Sequence, residues 1–290
     1  MFDLSAYLAD GARWIETALD RLVPPAGARP AALHAAMRHS LFAGGKRLRP
    51  LLCAAAAEAC GKDRDTALFP AAAIECLHTY TLIHDDLPCM DDDDLRRGVP
   101  TCHKVHGEAV ALLAGDALQA LAFDLAARTP VRALDIVREL AAAAGPAGVV
   151  GGQVEDILGE HLPPDEDRLR FIQRHKTGDL IVCAGRMGVR AADGPDSALE
   201  AVTRCTAALG EAFQIADDLL NATSTAEALG KAVGSDAEHG KTTAVSVYGL
   251  DDARKRLAAL VDQSLAALDG FPGETAPLAA LARHVAAREN

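Results

Sequence analysis

The sequence predicts an all-α protein folded as a single-domain helical bundle, and three observations carry that expectation. Apolar residues recur at three and four positions rather than two, as in Leu33, Met37 and Leu41, which is the period of a helix face. Aromatic residues make up only 4% of the chain while alanine is abundant, a composition of helix formers rather than strand formers. No alternating run long enough for a sheet is present. Breakers then mark the elements in order: Pro24-Pro25, Gly44-Gly45, Gly61, Pro88, Gly98 to Pro100, Pro130, Gly145-Pro146, Pro163-Pro164, Gly194-Pro195, Gly230, Gly249 and Gly270 to Gly273. About ten helices fit between them. Asp65 and Thr66 ahead of Pro70, and Thr129 ahead of Pro130, suit helix starts. No composition shift, Ser/Gly linker or internal repeat splits the chain, so residues 1–290 read as one domain.

Charge narrows the partners. Lysine plus arginine number 29 against 41 aspartate plus glutamate, a net charge of −12, which disfavours nucleic acid and anionic membrane surfaces. No window offers the roughly 18 uninterrupted apolar residues of a spanning helix. The stretch from Met1 to Leu22 is punctuated by Asp3, Asp10, Arg13, Glu16, Asp20 and Arg21, unlike a secretion signal. Cytoplasmic location is therefore expected. Seven cysteines, an odd number without a CxxC pair, read as reduced core residues.

Two acidic clusters concentrate the chemistry: Asp85-Asp86-Leu87-Pro88-Cys89-Met90-Asp91 followed by Asp92, Asp93 and Asp94, and Asp217-Asp218-Leu219-Leu220-Asn221. Each follows an apolar helical run, and like charges crowded there repel unless a cation neutralises them. Oxygen-only ligands favour a hard ion such as Mg²⁺, which binds one or two carboxylates plus substrate phosphates. An EF-hand is excluded, because Arg96 and Cys102 occupy the positions that need Gly and Glu. His103 and His106 lack a third ligand and read as structural. Asp217 and Asn221 are four apart and share a helix face on which one ion could be gripped. Asp85 and Asp91 are six apart, about 120° out of phase on a straight helix, so they converge only if Pro88 ends or kinks it.

Basic residues accompany the acids: Gly44-Gly45-Lys46-Arg47-Leu48-Arg49-Pro50, Arg96-Arg97, Lys176-Thr177-Gly178, Lys231 and Lys241. Arginine forks and lysine charges are what phosphate groups require. With Mg²⁺ they point to a polyphosphate, although no Walker loop is present.

Together with Gly151-Gly152-Gln153 and Phe213-Gln214, these motifs resemble, in family order and over most of the chain, the short-chain trans-isoprenyl diphosphate synthases of the polyprenyl synthetase family, bacterial farnesyl diphosphate synthases in particular. The resemblance implies a helical bundle around a deep central cavity, a homodimer, and three Mg²⁺ ions held by Asp85, Asp91 and Asp217. It places the allylic diphosphate near Arg96, Lys176, Thr177, Gln214, Lys231 and Lys241, and isopentenyl diphosphate near Lys46, Arg49, His78 and Arg97. Asp85, Asp91, Lys176 and Asp217 would be catalytic. Asn221 stands where relatives commonly carry aspartate, which implies weaker Mg²⁺ binding, relieved in Asn221→Asp. Tyr80 and Thr81, five and four residues before Asp85, lie about 6 to 7.5 Å below the metal site along a helix. In the family that the sequence resembles, a bulky aromatic at the fifth position upstream forms the floor that ends the chain at fifteen carbons, so the resemblance implies that Tyr80 favours farnesyl diphosphate. Geranylgeranyl diphosphate synthase and a catalytically silent partner subunit are the alternatives.

Overall fold

A computed structural model of the chain describes residues 2–223 and 241–286. Fourteen α-helices lie among the described residues: α1 (Leu4–Leu22), α2 (Ala31–Leu41), α3 (Leu48–Ala59), α4 (Leu68–Asp85), α5 (Cys102–His106), α6 (Glu108–Ala127), α7 (Ala133–Ala144), α8 (Val149–Gly159), α9 (Glu166–Ile172), α10 (Asp179–Ala191), α11 (Asp196–Thr223), α12 (Ala244–Tyr248), α13 (Leu250–Ala267) and α14 (Ala276–Ala286). Every breaker within the described residues falls between helices; Gly230 lies outside them. Two features depart from expectation. A two-residue hairpin, β1 (Leu95–Arg96) and β2 (Val99–Pro100), pairs Leu95 with Pro100 and Arg96 with Val99, too short to leave an alternating pattern. Residues 173–178 form one π-helical turn that joins α9 to α10.

Composition explains the layout. In α3 every residue but Glu58 is buried, and a helix apolar on all sides belongs at the centre of a bundle. It packs between α4 and α10, while α10 also meets α11, α4 meets α6, and α11 meets α13. Capping fixes several starts: Asp3 accepts from the Ala6 amide, Asp165 from Arg168, and Thr243 forms a reciprocal box with Ser246. Thr129 does not open α7. Its hydroxyl donates to the Ala126 carbonyl at 2.9 Å and so closes α6. Asp65 and Thr66 lie in a 3₁₀ turn, residues 64–67, that leads into α4.

By length and composition α6 could cross a bilayer, with a mean hydropathy of 1.5. Asp116 and Asp124 interrupt it, and Ala111, Ala114, Leu118, Ala122 and Leu125 are buried in the bundle, where α6 packs on α4. All seven cysteines are free; Cys89, exposed in the loop after α4, departs from the core placement expected of it.

Small residues let helices approach. At Gly188 on α10 a Cβ would lie 2.1 Å from the Cys53 carbonyl oxygen of α3, a backbone atom that cannot yield without parting the helices. Gly188→Ala is therefore expected to lose about 1–3 kcal/mol of stability, outweighing alanine's helix preference of about 1 kcal/mol. Gly27→Ala, with no atom within 4 Å of the added carbon, should stay within about 0.5 kcal/mol of wild type. Denaturant unfolding measures both; equal stability of the two variants would contradict the close approach.

Candidate active site

The first acidic motif folds back on itself. The helix α4 stops at Asp85, Pro88 removes a donor from the turn that follows, and the Asp91 amide donates to the Asp85 carbonyl at 2.9 Å. The two carboxylates six residues apart are thereby returned to one place. Arg97 and Gly98 then turn the hairpin, both with positive φ, 55° and 75°, as a tight two-residue turn of the I′ kind requires. The arginines part there. Arg96 pairs with Asp86 at 2.5 Å and Asp93 at 2.9 Å, whereas Arg97 donates to the Gly44 carbonyl.

The facing wall depends on the π turn. Its extra residue lets consecutive Lys176 and Thr177 both line one hollow. The turn lies so close to α8 that a Cβ on Gly152 would meet the Lys176 amide nitrogen at 2.2 Å. From α8, Asp156 accepts from Lys176 Nζ at 2.6 Å and stands 3.7 Å from Lys241 Nζ. Lys241 also donates to Asp91 at 3.0 Å. On α11, Asp217 lines the hollow. Thr177 donates to Gln214 at 2.8 Å, Gln214 donates to Asp218 at 2.9 Å, and Asp218 accepts the Ala244 amide at 2.7 Å. Asp218 thus anchors the start of α12.

These side chains enclose about 370 Å³, with Asp85, Asp91, Lys176, Thr177, Gln214, Asp217 and Lys241 in one lining and Thr81, Leu82, Leu169 and Leu180 supplying apolar wall. Burial raises the Asp85 carboxyl above its ordinary range; Lys176 offsets the shift and Asp91 adds to it. Burial also opposes ionisation of Asp91, yet Lys241 and Lys176 outweigh it and hold its pKa low. For Lys176 burial favours the neutral amine, but Asp156, Asp85 and Asp91 prevail and raise its pKa. Among the described residues no three Asp, Glu, His or Cys side chains stand close enough to hold an ion by themselves. Oxygen donors divided between two walls fit a hard cation that completes its shell with diphosphate oxygens and water.

A second hollow, of about 980 Å³, adjoins the first and shares Arg49, His78, Arg97, Phe213 and Asp217 with it. Lys46 lines this one. Arg47 borders it too, its buried side chain held by donating to Glu75 at 2.7 Å and to the Leu41 carbonyl at 2.8 Å. Its positive φ of 50° begins α3 and leaves its neighbours Lys46 and Arg49 to the cavity.

Several expectations change. Tyr80, taken as a floor, is 5% exposed and turned toward His84, whose ring it meets edge-on at 5.6 Å, and Gln119 of α6. Thr81 lines the hollow in its place, because His78, Thr81, Leu82 and Asp85 make the inward stripe and Tyr80 falls about 100° to one side. Asn221 is 4% exposed and absent from the lining, although it shares a helix side with Asp217. One further turn, about 6 Å, separates it from Asp217 along α11. Lys231 lies outside the described residues. Asp156, Gln153, Gln173 and Phe213 join the lining; the Gly151-Gly152-Gln153 motif was the signal for α8, but nothing in the sequence singled out Asp156 three residues later.

The fold and paired hollows define a helical protein in which a cavity lined by acids and lysines adjoins a basic one. The profile of the polyprenyl synthetase family matches residues 30–269, and the chain belongs to that family. It is 44% identical over 299 residues to geranylgeranyl pyrophosphate synthase 9, chloroplastic, of Arabidopsis thaliana, covering 100% of this chain and 82% of that protein. It is 44% identical over 300 residues to the heterodimeric geranylgeranyl pyrophosphate synthase large subunit 1, chloroplastic, of the same plant, with 100% and 80% covered. An FPP/GFPP synthase structure from Zymomonas mobilis superposes with a TM-score of 0.86 at 37% identity, covering 98% of each chain. A Helicobacter pylori geranyltransferase complexed with magnesium and isoprenyl diphosphate gives 0.84 at 30% identity, covering 97% of this chain and 95% of that one.

Among the described residues His78, where the two hollows meet, shares no hydrogen bond with a carboxylate; its Nε2 lies 3.3 Å from Arg49. Burial first, then Arg49, Arg97, Arg96 and Arg47, push its pKa well below the ordinary value. Below about pH 6.5 the unfolded chain binds a proton that the folded one refuses, so stability falls as pH falls, by at most about 1.4 kcal/mol per unit. In unfolding titrations from pH 7.5 to 5.5, His78→Gln should show a shallower acid decline than wild type. Parallel curves would contradict a neutral His78.

Proposed function

We propose that this trans-prenyltransferase condenses isopentenyl diphosphate with dimethylallyl or geranyl diphosphate, in a Mg²⁺-dependent reaction, and ends at farnesyl diphosphate. The carrying observation is the pair of adjoining hollows, one lined by acids and lysines and one basic, which share Arg49, His78, Arg97, Phe213 and Asp217. Asp85, Asp91 and Asp217 would hold Mg²⁺, which supplies charge stabilisation for departing pyrophosphate. Lys176, Lys241 and Arg96 bind the allylic diphosphate and share the charge that develops as the C–O electron pair leaves. Lys46, Arg49, His78 and Arg97 orient isopentenyl diphosphate so that its double bond meets the allylic cation. Loss of a proton, with pyrophosphate as the base, restores an alkene. Leu82, Leu169 and Leu180 keep water from the cation.

Farnesyl diphosphate as the end point rests on Tyr80, which stands behind Thr81 of the lining and packs on His84 and Gln119, where a chain growing past Thr81 would press. The second reading, geranylgeranyl diphosphate, is favoured by the names of the plant relatives. A homodimer is proposed from the exposed apolar residues Leu112, Leu113, Leu134, Val150, Val154 and Leu158, a surface that a second copy would cover. The free cysteines support a cytoplasmic setting.

The purified chain, given isopentenyl diphosphate and each allylic primer, should turn over with Mg²⁺, stop in a chelator and recover when Mg²⁺ is restored. Chromatography should show a C15 product, lengthened in Tyr80→Ala. No turnover by the chain alone would contradict the assignment and favour a silent subunit. A C20 wild-type product, or unchanged C15 from Tyr80→Ala, would contradict the role given to Tyr80.

A further inference from the structure

Asp156 is remote in sequence from both acidic motifs, yet its carboxylate meets both lysines of the acidic hollow. The side chain is 8% exposed, Lys176 Nζ is 2.6 Å away and Lys241 Nζ is 3.7 Å away. The lysines come from separate elements, the π turn and the segment before α12. Lysine is a compact charge on a flexible stem, and two such charges sharing a hollow repel each other unless an anion stands between them. Asp91 is the other partner of Lys241, at 3.0 Å, but Asp91 belongs to the pair assigned to the metal. Once a cation takes Asp91, Asp156 is the carboxylate left, among the described residues, to seat that ammonium.

We propose that Asp156 is a positioning residue that holds Lys176 and Lys241 where they receive the diphosphate of the allylic substrate. This rests on the prenyltransferase reading of the site. Charge alone argues the other way, since removing a carboxylate from the hollow lessens repulsion of an incoming anion. The two accounts therefore differ in sign. If Asp156 contributes charge only, its neutralisation tightens diphosphate binding; if it places the lysines, neutralisation weakens it.

The decisive probe is the unreactive S-thiolo analogue of geranyl diphosphate, titrated by calorimetry into metal-free protein in a chelator and, separately, with Mg²⁺. Asp156→Asn is expected to weaken analogue binding about tenfold, near 1.4 kcal/mol, in both titrations. In turnover it should raise KM for the allylic diphosphate by a similar factor and leave KM for isopentenyl diphosphate within about twofold. Unchanged or tighter analogue binding would overturn the proposal, as would equal rises in both KM values. Should the Asn variant fail to fold, Asp156→Glu keeps the charge but moves it by one methylene; it should weaken the analogue about threefold, and wild-type affinity would overturn the proposal. Wild-type protein that does not turn over would sink the prenyltransferase reading. Wild-type protein that turns over beside an unaffected Asn variant would sink the positioning role alone.

Discussion

Charge gathered in a place of low polarity is the constraint on which this structure rests. Asp85 is buried far enough that its ionised form is disfavoured, and Asp91 stays ionised because Lys241 and Lys176 face it. Neither lysine would keep its charge so readily without those acids. The site is a balance of opposed charges, each made tolerable by the others. A substrate that brings a diphosphate and cations together preserves the balance, since the anion can take the lysines while the cations take the carboxylates. Free diphosphate or free metal satisfies only half of it.

The fold supplies the balance by breaking helices where the charges sit. Asp91 reaches Asp85 because α4 stops and the chain doubles back through Pro88. Lys176 and Thr177 share a wall because a π turn interrupts the path from α9 to α10, and π turns interrupt helices frequently at functional sites. The basic hollow depends on a third irregularity, the left-handed Arg47 at the head of α3, pinned by Glu75 in the interior. Regular helices supply Arg49, His78, Asp156 and Asp217, and the departures from helix bring Asp91, Lys176 and Thr177 to meet them.

This division explains what the sequence disclosed. Pro and Gly act locally, so the helix limits from Pro24 to Gly249 could be read from them. The convergence of Asp85 and Asp91 followed from a six-residue spacing and a proline between them. Tyr80 and Asn221 lie outside the lining for one reason: a helix side is not a cavity wall, and 100° or one turn is enough to move a residue from the hollow into the packing. Asp156 was invisible because its importance comes from Lys176 and Lys241, 20 and 85 residues later in the chain. The π turn left no mark, since its sequence, Gln173 to Gly178, is an ordinary helical run apart from its closing glycine. The two-stranded hairpin was too short for periodicity to reveal.

The central claim is that the two acidic motifs act across one hollow as a shared cradle for metal and diphosphate. Crystals grown with Mn²⁺ and pyrophosphate, measured for anomalous scattering at the manganese edge, test it directly. The account predicts anomalous peaks between the pyrophosphate and the carboxylates of Asp85, Asp91 and Asp217, with Lys176 on the pyrophosphate oxygens. Pyrophosphate bound without manganese beside those aspartates, or manganese confined to other surfaces of the protein, would contradict it.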